Sequence, residues 1–277
     1  MSTPATPGIQ TVPVRTPTLP PATHTNTYVV GEGAMSVFDP ASPWEDEQRR
    51  LAALLQERIA AGEQVERIVL THHHHDHVSG AEALRAALGA DVPIAAHPVT
   101  ASLVQGQIRV DESLVHGDIL MCGGRTLHVH FTPGHAPGHL VFVDGGSGAV
   151  IAGDMVAGVG TIAIDPREGN LADYLASLEA MRHMGATVLL PSHGPPLAPP
   201  EAVLSMYIAH RHGRTDQIRR ALDEGGASTP RDLVPEVYPD LPAAIAPLAA
   251  MQITAHLVWL VERGLAVEHD GRWQLTR

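Results

Sequence analysis

The sequence predicts an α/β fold in which two sheets are covered by helices, with a smaller module after it. Strand and helix patterns alternate unevenly over most of the chain, which fits two covered sheets better than a strict strand–helix repeat. A proline-rich stretch at 195–200 marks a boundary, beyond which the pattern becomes mainly helical. The chain ends in two alternating runs joined by Asp270-Gly271, a strong hairpin signal. We therefore predict a large domain at 1–199 and a winged-helix-like domain at 200–277.

The first elements follow in order from the N-terminus. Residues 1–24 are rich in Pro and Thr and are predicted to be extended. Two strands are predicted at 26–33 and 34–39, around a glycine-containing turn. A helix is predicted at 44–62, because acidic residues open it, leucines share one face and a glycine ends it. The apolar run 66–71 predicts a buried strand that ends directly at a cluster of histidines.

The middle of the chain is predicted to contain most of the strands. A second helix at 80–90 is followed by a short strand at 93–97. Between 106 and 152, glycine-rich turns separate five predicted strands with the sequences QIRV, DILMC, RTLHVHF, HLVFVD and GAVIAG. A helix at 170–185 and a strand within 187–194 complete the first domain.

The second domain is predicted to contain three helices, at 200–224, 229–236 and 241–263. The last is largely apolar and has one Arg, which suits a packing helix or a homodimer contact. Residues 201–277 contain eight Arg against ten Asp and Glu, a net charge of −2. A DNA-reading winged helix usually has a basic recognition helix, so a DNA-binding regulator is disfavoured.

Composition limits the classes of protein. The chain has eighteen Arg and no Lys, and its net charge is −12. The negative charge balance argues against broad nucleic-acid binding. Cys122 is the only cysteine, so an intrachain disulfide and a cysteine-rich zinc site are both excluded. We found no unbroken apolar run of the ~18–20 residues that a membrane helix needs and no secretory signal, so we expect a cytoplasmic protein without a membrane partner.

The histidine cluster THHHHDHVSG lies at 71–80. A purification tag is not expected there, because the cluster lies inside the chain and an aspartate interrupts it. From these ten residues alone, a solvated histidine tract is the alternative to a metal site. His72 and His74 are two residues apart at the end of a strand, where an extended backbone points both side chains the same way. His73 then points the other way and is predicted to be a spectator.

Asp76 and His77 complete the cluster if the chain turns back after His74, which leaves His75 as a second spectator. Zinc is bound by imidazole nitrogens and carboxylate oxygens, so this register suits a metal. A two-metal site needs more ligands. Three further ligand-type residues each follow a short apolar strand beside Gly or Pro, namely His135, Asp154 and His193.

The ordered motifs THHHHDH, TPGHAPGH, AGD and PSHG resemble those of the metallo-β-lactamase superfamily. The resemblance covers about residues 25–195 and implies an αββα sandwich with the metals at one sheet edge. It implies that one metal is held by His72, His74 and His135. It implies that a second is held by Asp76, His77 and His193, with Asp154 bridging the two.

Two departures from the superfamily pattern bear on the function. Its frequent Asp-Thr-Gly is here Asp39-Pro40-Ala41, and Asp39 is still expected to brace the metal loop. A bridging aspartate in place of a cysteine ligand resembles glyoxalase II, tRNA 3′-processing nucleases and many lactonases, so antibiotic hydrolysis is not expected as the main activity. The sequence YIAHRHGRTDQI and the winged module resemble the lactamase-β-like branch, which contains a mitochondrial single-strand endoribonuclease.

These residues predict a hydrolase with two Zn²⁺ per chain, for which Fe or Mn are alternatives. A metal-bridging hydroxide would attack an ester, thioester or lactone, and Asp76 would orient it and pass on a proton. His139 is a catalytic candidate, as an oxyanion donor or as a histidine behind the loop. Arg211 and Arg214 are expected to bind an anionic small-molecule substrate, although a solvated helix face is the alternative for both. Single-strand RNA cleavage is the second functional hypothesis.

Overall fold

The computed structural model describes residues 4–89 and 91–276. Residues 1–3, 90 and 277 lie outside the described residues. They belong to the ends of the predicted extended segment at 1–24, the predicted helix at 80–90 and the predicted domain at 200–277. Seven strands form the first sheet in chain order: β1 (Pro4–Thr6), β2 (Ile9–Arg15), β3 (His24–Val30), β4 (Ala34–Phe38), β5 (Gln64–Val69), β6 (Ile94–Ala96) and β7 (Glu112–Ser113). Five form the second sheet: β8 (Ile119–Cys122), β9 (Arg125–Phe131), β10 (Leu140–Asp144), β11 (Ala149–Gly153) and β12 (Val188–Pro191).

The helices follow the same chain order. The first domain contains α1 (Glu45–Ala60), α2 (His75–Val78), α3 (Ala81–Leu88), α4 (Pro98–Leu103) and α5 (Leu171–Arg182). The C-terminal part contains α6 (Pro200–Gly225), α7 (Val234–Val237), a 3₁₀ turn (Ala243–Ile245), α8 (Ala246–Glu262) and a hairpin of β13 (Ala266–His269) and β14 (Arg272–Leu275).

The inner faces of the two sheets form one apolar layer. Phe38 of the first sheet contacts Phe142 of the second edge-to-face, with ring centroids 5.0 Å apart, and both are fully buried. Because successive side chains of a strand point to opposite faces, Val141 and Val143 lie on the outer face of the second sheet and pack against helices. α1 and α3 cover the outer face of the first sheet. The predicted αββα sandwich is therefore confirmed.

The elements from α6 to β14, here called the C-terminal module, share a hydrophobic core with the second sheet. Leu204 and Ile218 of α6 and Ile253 of α8 lie in one cluster with the outer face of that sheet and with α5. The predicted hairpin forms, with positive φ at Asp270 and Gly271. By length and composition alone, the helix Ala243–Glu262 could cross a membrane, but here its buried face contributes to this shared core.

Several predicted elements need correction. QIRV, at 107–110, is not a strand, because Ile108 continues the turns after α4 and donates to the carbonyl of Val104. The helix predicted at 229–236 shrinks to α7, and the one predicted at 241–263 begins as a 3₁₀ turn. The prediction of an extended N-terminal segment is confirmed for β1 and β2, which join the first sheet.

Candidate metal centre

The ligand-type residues lie at one edge of the sandwich, just beyond the carboxyl ends of β5, β9, β11 and β12. His72 and His74 follow β5 in extended backbone, and α2 begins at the next residue. This single helical turn brings Asp76 and His77 back toward the same space. His135, Asp154 and His193 follow the other three strands. All seven predicted ligands, including His77, thus meet in one region.

Asp39, the residue after β4, braces the histidine loop. Its Oδ1 accepts from the backbone NH of Thr71 at 2.7 Å, and its Oδ2 accepts from the Thr71 hydroxyl at 2.6 Å and from His77 Nδ1 at 2.9 Å. Asp39 has φ of +48°, a backbone conformation that Asp tolerates better than most residues. The structure therefore gives Asp39 the contacts expected of a brace.

Three imidazole nitrogens converge at the first group. His74 Nδ1 lies 3.0 Å from His72 Nε2 and 3.0 Å from His135 Nε2. Burial, reinforced by neighbouring histidines, lowers the pKa of His72 well below its usual value, and burial lowers that of His135 to about 4. Both rings are therefore neutral near pH 7, and each carries one proton.

The hydrogen bonds made by the ring nitrogens that point away from this group show where those protons lie. The Thr71 hydroxyl donates to Asp39, so it accepts from His72 Nδ1 at 3.0 Å. His135 Nδ1 donates to the carbonyl of Ala163 at 2.8 Å, and His74 Nε2 donates to Glu168 at 2.9 Å. His72 and His135 thus turn unprotonated nitrogens toward His74 Nδ1. Converging lone pairs repel each other unless a proton or a metal cation lies between them, and three imidazole nitrogens at this spacing are a donor set that fits a metal.

In the second group, His77 donates from Nδ1 to Asp39, and His193 donates from Nδ1 to the carbonyl of His24, so each ring turns Nε2 toward Asp154. Although burial opposes it, the Asp154 carboxylate raises the pKa of both rings, and a bound cation would take the place of the protons that Nε2 then carries. His77 Nε2 and Asp154 Oδ1 are buried without a hydrogen-bond partner. Asp154 Oδ1 lies 3.5 Å from both of these Nε2 atoms, and Asp76 Oδ2 lies 3.6 Å from that of His193.

Asp154 faces both groups. Its second oxygen, Oδ2, lies 3.5 Å from His135 Nε2 in the first group. Ligand atoms about 2.1 Å from a tetrahedral ion stand about 3.4 Å apart, so these spacings match the edges of two coordination shells. Gly153, with φ of +50°, allows this placement, because a Cβ there would lie 2.4 Å from His139 Nε2. The donor set therefore fits two cations with Asp154 between them.

Glu168 was missed by the sequence analysis. One carboxylate oxygen accepts from His73 Nε2 at 2.9 Å and the other accepts from His74 Nε2 at 2.9 Å. These hydrogen bonds hold the pKa of Glu168 far below its usual value. Glu168 lies in a turn before α5 with no motif around it. His73, a predicted spectator, thus contacts the same carboxylate as His74, while His75 has an exposed side chain.

His139 lies behind the metal loop and is fully buried. Its Nε2 accepts from the backbone NH of Asp154 at 3.0 Å, so the ring proton is on Nδ1, which donates to the Thr132 hydroxyl at 2.9 Å. Because both nitrogens are engaged by the protein, neither can donate to a substrate oxyanion. Of the two roles predicted for His139, the geometry fits the histidine that backs the loop.

Arg211 and Arg214 do not lie at the mouth of the cleft, which corrects their predicted placement. Arg211 is 5% exposed, and its guanidinium donates to the carbonyl of Ile162 and lies over the ring of Tyr174. Arg214 donates to the carbonyl of Val237. Arg211 belongs to the buried stripe of α6, which explains why it cannot reach solvent.

A cavity of about 200 Å³ opens onto the ligand groups. Leu19 and Ala22, from the N-terminal segment, and Val159 form apolar parts of its wall. None of the described residues that line it is Arg, whereas the carboxylates Asp165 and Glu168 are part of the lining. A more open groove of about 760 Å³ along α6 shares no lining residue with the metal centre. The cavity beside the ligands is therefore the candidate substrate site.

Comparisons with known proteins agree with this geometry. Residues 20–193 match the metallo-beta-lactamase superfamily, and residues 229–273 match the beta-lactamase associated winged helix domain. The chain is 31% identical over 231 residues to "Beta-lactamase-like protein 2 homolog" of Caenorhabditis elegans, covering 82% of this chain and 75% of that protein. It is 27% identical to "Atrochrysone carboxyl ACP thioesterase" of Aspergillus fumigatus, covering 80% of this chain and 70% of that protein.

Two solved structures extend the comparison. A beta-lactamase domain protein from Burkholderia ambifaria superposes with a TM-score of 0.85 at 23% identity, covering 99% of this chain and 93% of that one. A protein named TTHA1623, solved in a di-iron-bound form, superposes with a TM-score of 0.54 at 29% identity, covering 70% of this chain and 96% of that one. With its paired His/Asp clusters and its winged-helix domain, this chain belongs to the metallo-β-lactamase superfamily of metal-dependent hydrolases.

Proposed function

We propose that this chain is a dinuclear hydrolase of uncharged acyl esters, with thioesters as the preferred class. The observation that carries the proposal is the cavity at the ligand groups, whose described lining combines apolar side chains and carboxylates with no Arg. A cavity of this character suits an acyl chain, because its wall is partly apolar and none of its described lining residues is an arginine that could bind a phosphate beside the metal ions.

The two ligand groups are the basis for two ions per chain. His72, His74 and His135 would hold one ion, Asp76, His77 and His193 the other, and Asp154 would contact both. When bound, such ions supply Lewis acidity and activate water near neutral pH. Zinc is our first choice, with iron and manganese as alternatives, because imidazole and carboxylate ligands accept all three. The di-iron form of one structural relative keeps iron in consideration.

Asp76 is the proposed proton carrier. Its carboxylate lines the cavity and lies 3.6 Å from His193 Nε2, so it faces both the ligand groups and the space for a substrate. In this position it can orient an attacking water and then pass a proton to the leaving group. A thiolate leaves more readily than an alkoxide, so a thioester needs less help from this acid.

The acyl chain would lie against Leu19, Ala22 and Val159. Leu19 is 50% exposed and Val159 39% exposed, so both present apolar surface that an acyl chain would cover. The fungal relative named as a thioesterase supports the same class of substrate. The sequence predicted an anionic substrate because Arg211 and Arg214 were expected at the mouth of the cleft. Neither arginine lines the cavity, so we propose a substrate that has no negative charge near its reacting carbonyl.

RNA cleavage remains the competing hypothesis, and one panel tests both. Metal-loaded protein is assayed with an uncharged acyl thioester, the matching ester, a lactone, a phosphodiester and single-stranded RNA. We expect the highest kcat/KM with the thioester and loss of that activity in Asp76→Asn. A phosphodiester or RNA hydrolysed faster than every acyl substrate would refute the proposal. The cytoplasmic location and the homodimer stay predictions.

A further inference from the structure

We propose that the C-terminal module is a positioning device for the metal centre, acting through Gln252 and Arg211 on the segment 158–165. This segment runs between β11 and α5 without regular secondary structure. It forms one wall of the cavity and supplies the carbonyl that holds the metal ligand His135. The inference rests on the proposed dinuclear centre, and the experiment below separates the two.

The segment alternates between two environments. Ile162 and Ile164 are buried and pack in the core shared by the second sheet, α5, α6 and α8. Thr161, Ala163 and Asp165 line the cavity. This two-residue period is that of an extended backbone. A shift of the segment would therefore move the cavity wall and the buried isoleucines together.

Polar side chains of the module hold the backbone on both sides of Ala163. Gln252 of α8 accepts from the backbone NH of Ile164 and donates to the carbonyl of the same residue, both at 3.1 Å. Arg211 of α6 donates to the carbonyl of Ile162 at 2.5 Å. Gln252 is 8% exposed and Arg211 is 5% exposed, so water cannot readily replace either side chain.

Between these fixed points, Ala163 supplies the contact that matters for the metal. Its carbonyl accepts from His135 Nδ1 at 2.8 Å, and that bond keeps the proton on Nδ1 and turns Nε2 toward His74. Outer hydrogen bonds of this kind set the orientation and basicity of a metal-binding histidine. A backbone acceptor can perform this role only if the backbone itself is held. Gln252 and Arg211 hold it, so they act on His135 without touching the metal.

Arg214 offers a matched control for Arg211. It lies one turn further along the same helix, donates to a backbone carbonyl, that of Val237, and has its guanidinium over a tyrosine ring, Tyr238. Arg211 makes the same kinds of contact with Ile162 and Tyr174. The two arginines differ in that only Arg211 contacts the segment that holds His135.

The experiment compares metal binding in Arg211→Met, Gln252→Leu and Arg214→Met. The three proteins and the parent are loaded with Co²⁺, and the apparent Kd is measured by chelator competition, with the visible spectrum as a report on coordination. We expect the first two variants to bind more weakly by about tenfold to a hundredfold and to show an altered spectrum. Arg214→Met should match the parent in both, although its unfolding midpoint falls.

The other outcomes are also decisive. Equal weakening in Arg211→Met and Arg214→Met, or no weakening in Arg211→Met and Gln252→Leu, would overturn the positioning role. A parent that binds fewer than two ions would refute the proposed dinuclear centre instead. If the variants do not fold, amide exchange of the metal-free parent decides, because Gln252 should protect the NH of Ile164 without a metal. Free exchange at that NH in otherwise folded protein would overturn the inference.

Discussion

Replacing Glu168 by Gln tests whether a carboxylate outside the ligand set sets the metal affinity. Glu168 accepts from His74 Nε2, which leaves His74 Nδ1 free to face His72 and His135. Gln keeps the shape but has only one acceptor oxygen for the two histidines that donate to Glu168. The variant therefore weakens the contact that fixes the tautomer of His74.

The expected magnitude follows from the charge and the exposure of this contact. A hydrogen bond to a charged group contributes about 1.5–3 kcal/mol. The Glu168 side chain is 34% exposed, so solvent screening places the effect at the lower end, about 1.5 kcal/mol. That is about tenfold in metal affinity. Chelator competition on the loaded protein measures it directly, and kcat/KM with a thioester should fall in parallel at limiting metal.

Asp165→Asn is the matched control for this prediction. Asp165 is a carboxylate that lines the same cavity, but its side chain pairs with Arg167 and not with a predicted ligand. Both variants remove one negative charge from the cavity, and the control should weaken metal binding only about twofold through that general effect. If both variants weaken it equally, or if Glu168→Gln leaves it unchanged, the tautomer argument is wrong.

Three further predictions address the ligand register, the core and acid stability. His73→Ala and His75→Ala should keep most of the activity and metal content. His74→Ala and Asp76→Asn should lose nearly all activity. Loss of metal in His75→Ala would refute the predicted assignment of ligands and spectators. Phe142→Ala should lower the free energy of unfolding by about 3–5 kcal/mol in denaturant titrations, because it empties a fully buried contact between the sheets. Burial lowers the pKa of His256 to about 3, so protonation of the unfolded chain should cost stability as the pH falls from about 6.5 toward 3. Over that interval the free energy of unfolding of His256→Gln should fall less steeply with pH than that of the parent, by up to about 1.4 kcal/mol per pH unit. Equal slopes for the variant and the parent would refute this prediction.

The ligand positions were predictable because they depend on short-range rules. The two-residue period of a strand relates His72 to His74, and apolar runs before His135, Asp154 and His193 marked the strand ends that meet at one edge of the sandwich. The contacts of Glu168 and of His139 were not predictable in this way. They depend on how the irregular segment that contains Glu168 and the buried ring of His139 pack against the histidine loop. A periodic sequence pattern does not predict such long-range packing.

Arg211 is a different case, because its burial was readable from the sequence. The buried stripe of α6 includes Leu204, Thr215, Ile218 and Leu222. Arg211 falls on the same helical face, seven residues after Leu204 and four, seven and eleven residues before the other three. Its charge suggested a substrate contact, but the period placed it inside. When the helical period places an arginine on the buried face of a helix, we expect its guanidinium to donate to backbone carbonyls, because these acceptors satisfy its charge inside the protein.

The predicted ligands differ in what holds them, and this difference connects the C-terminal module to the metal centre. His72 and His77 are braced by Thr71 and Asp39, all within the first sheet and its loops. His135 instead depends on the carbonyl of Ala163, in a segment whose buried side chains lie against α6 and α8. Removing residues 200–277 would expose the outer face of the second sheet and would also release that carbonyl. The module therefore stabilises the fold and orients a metal ligand through the same contacts.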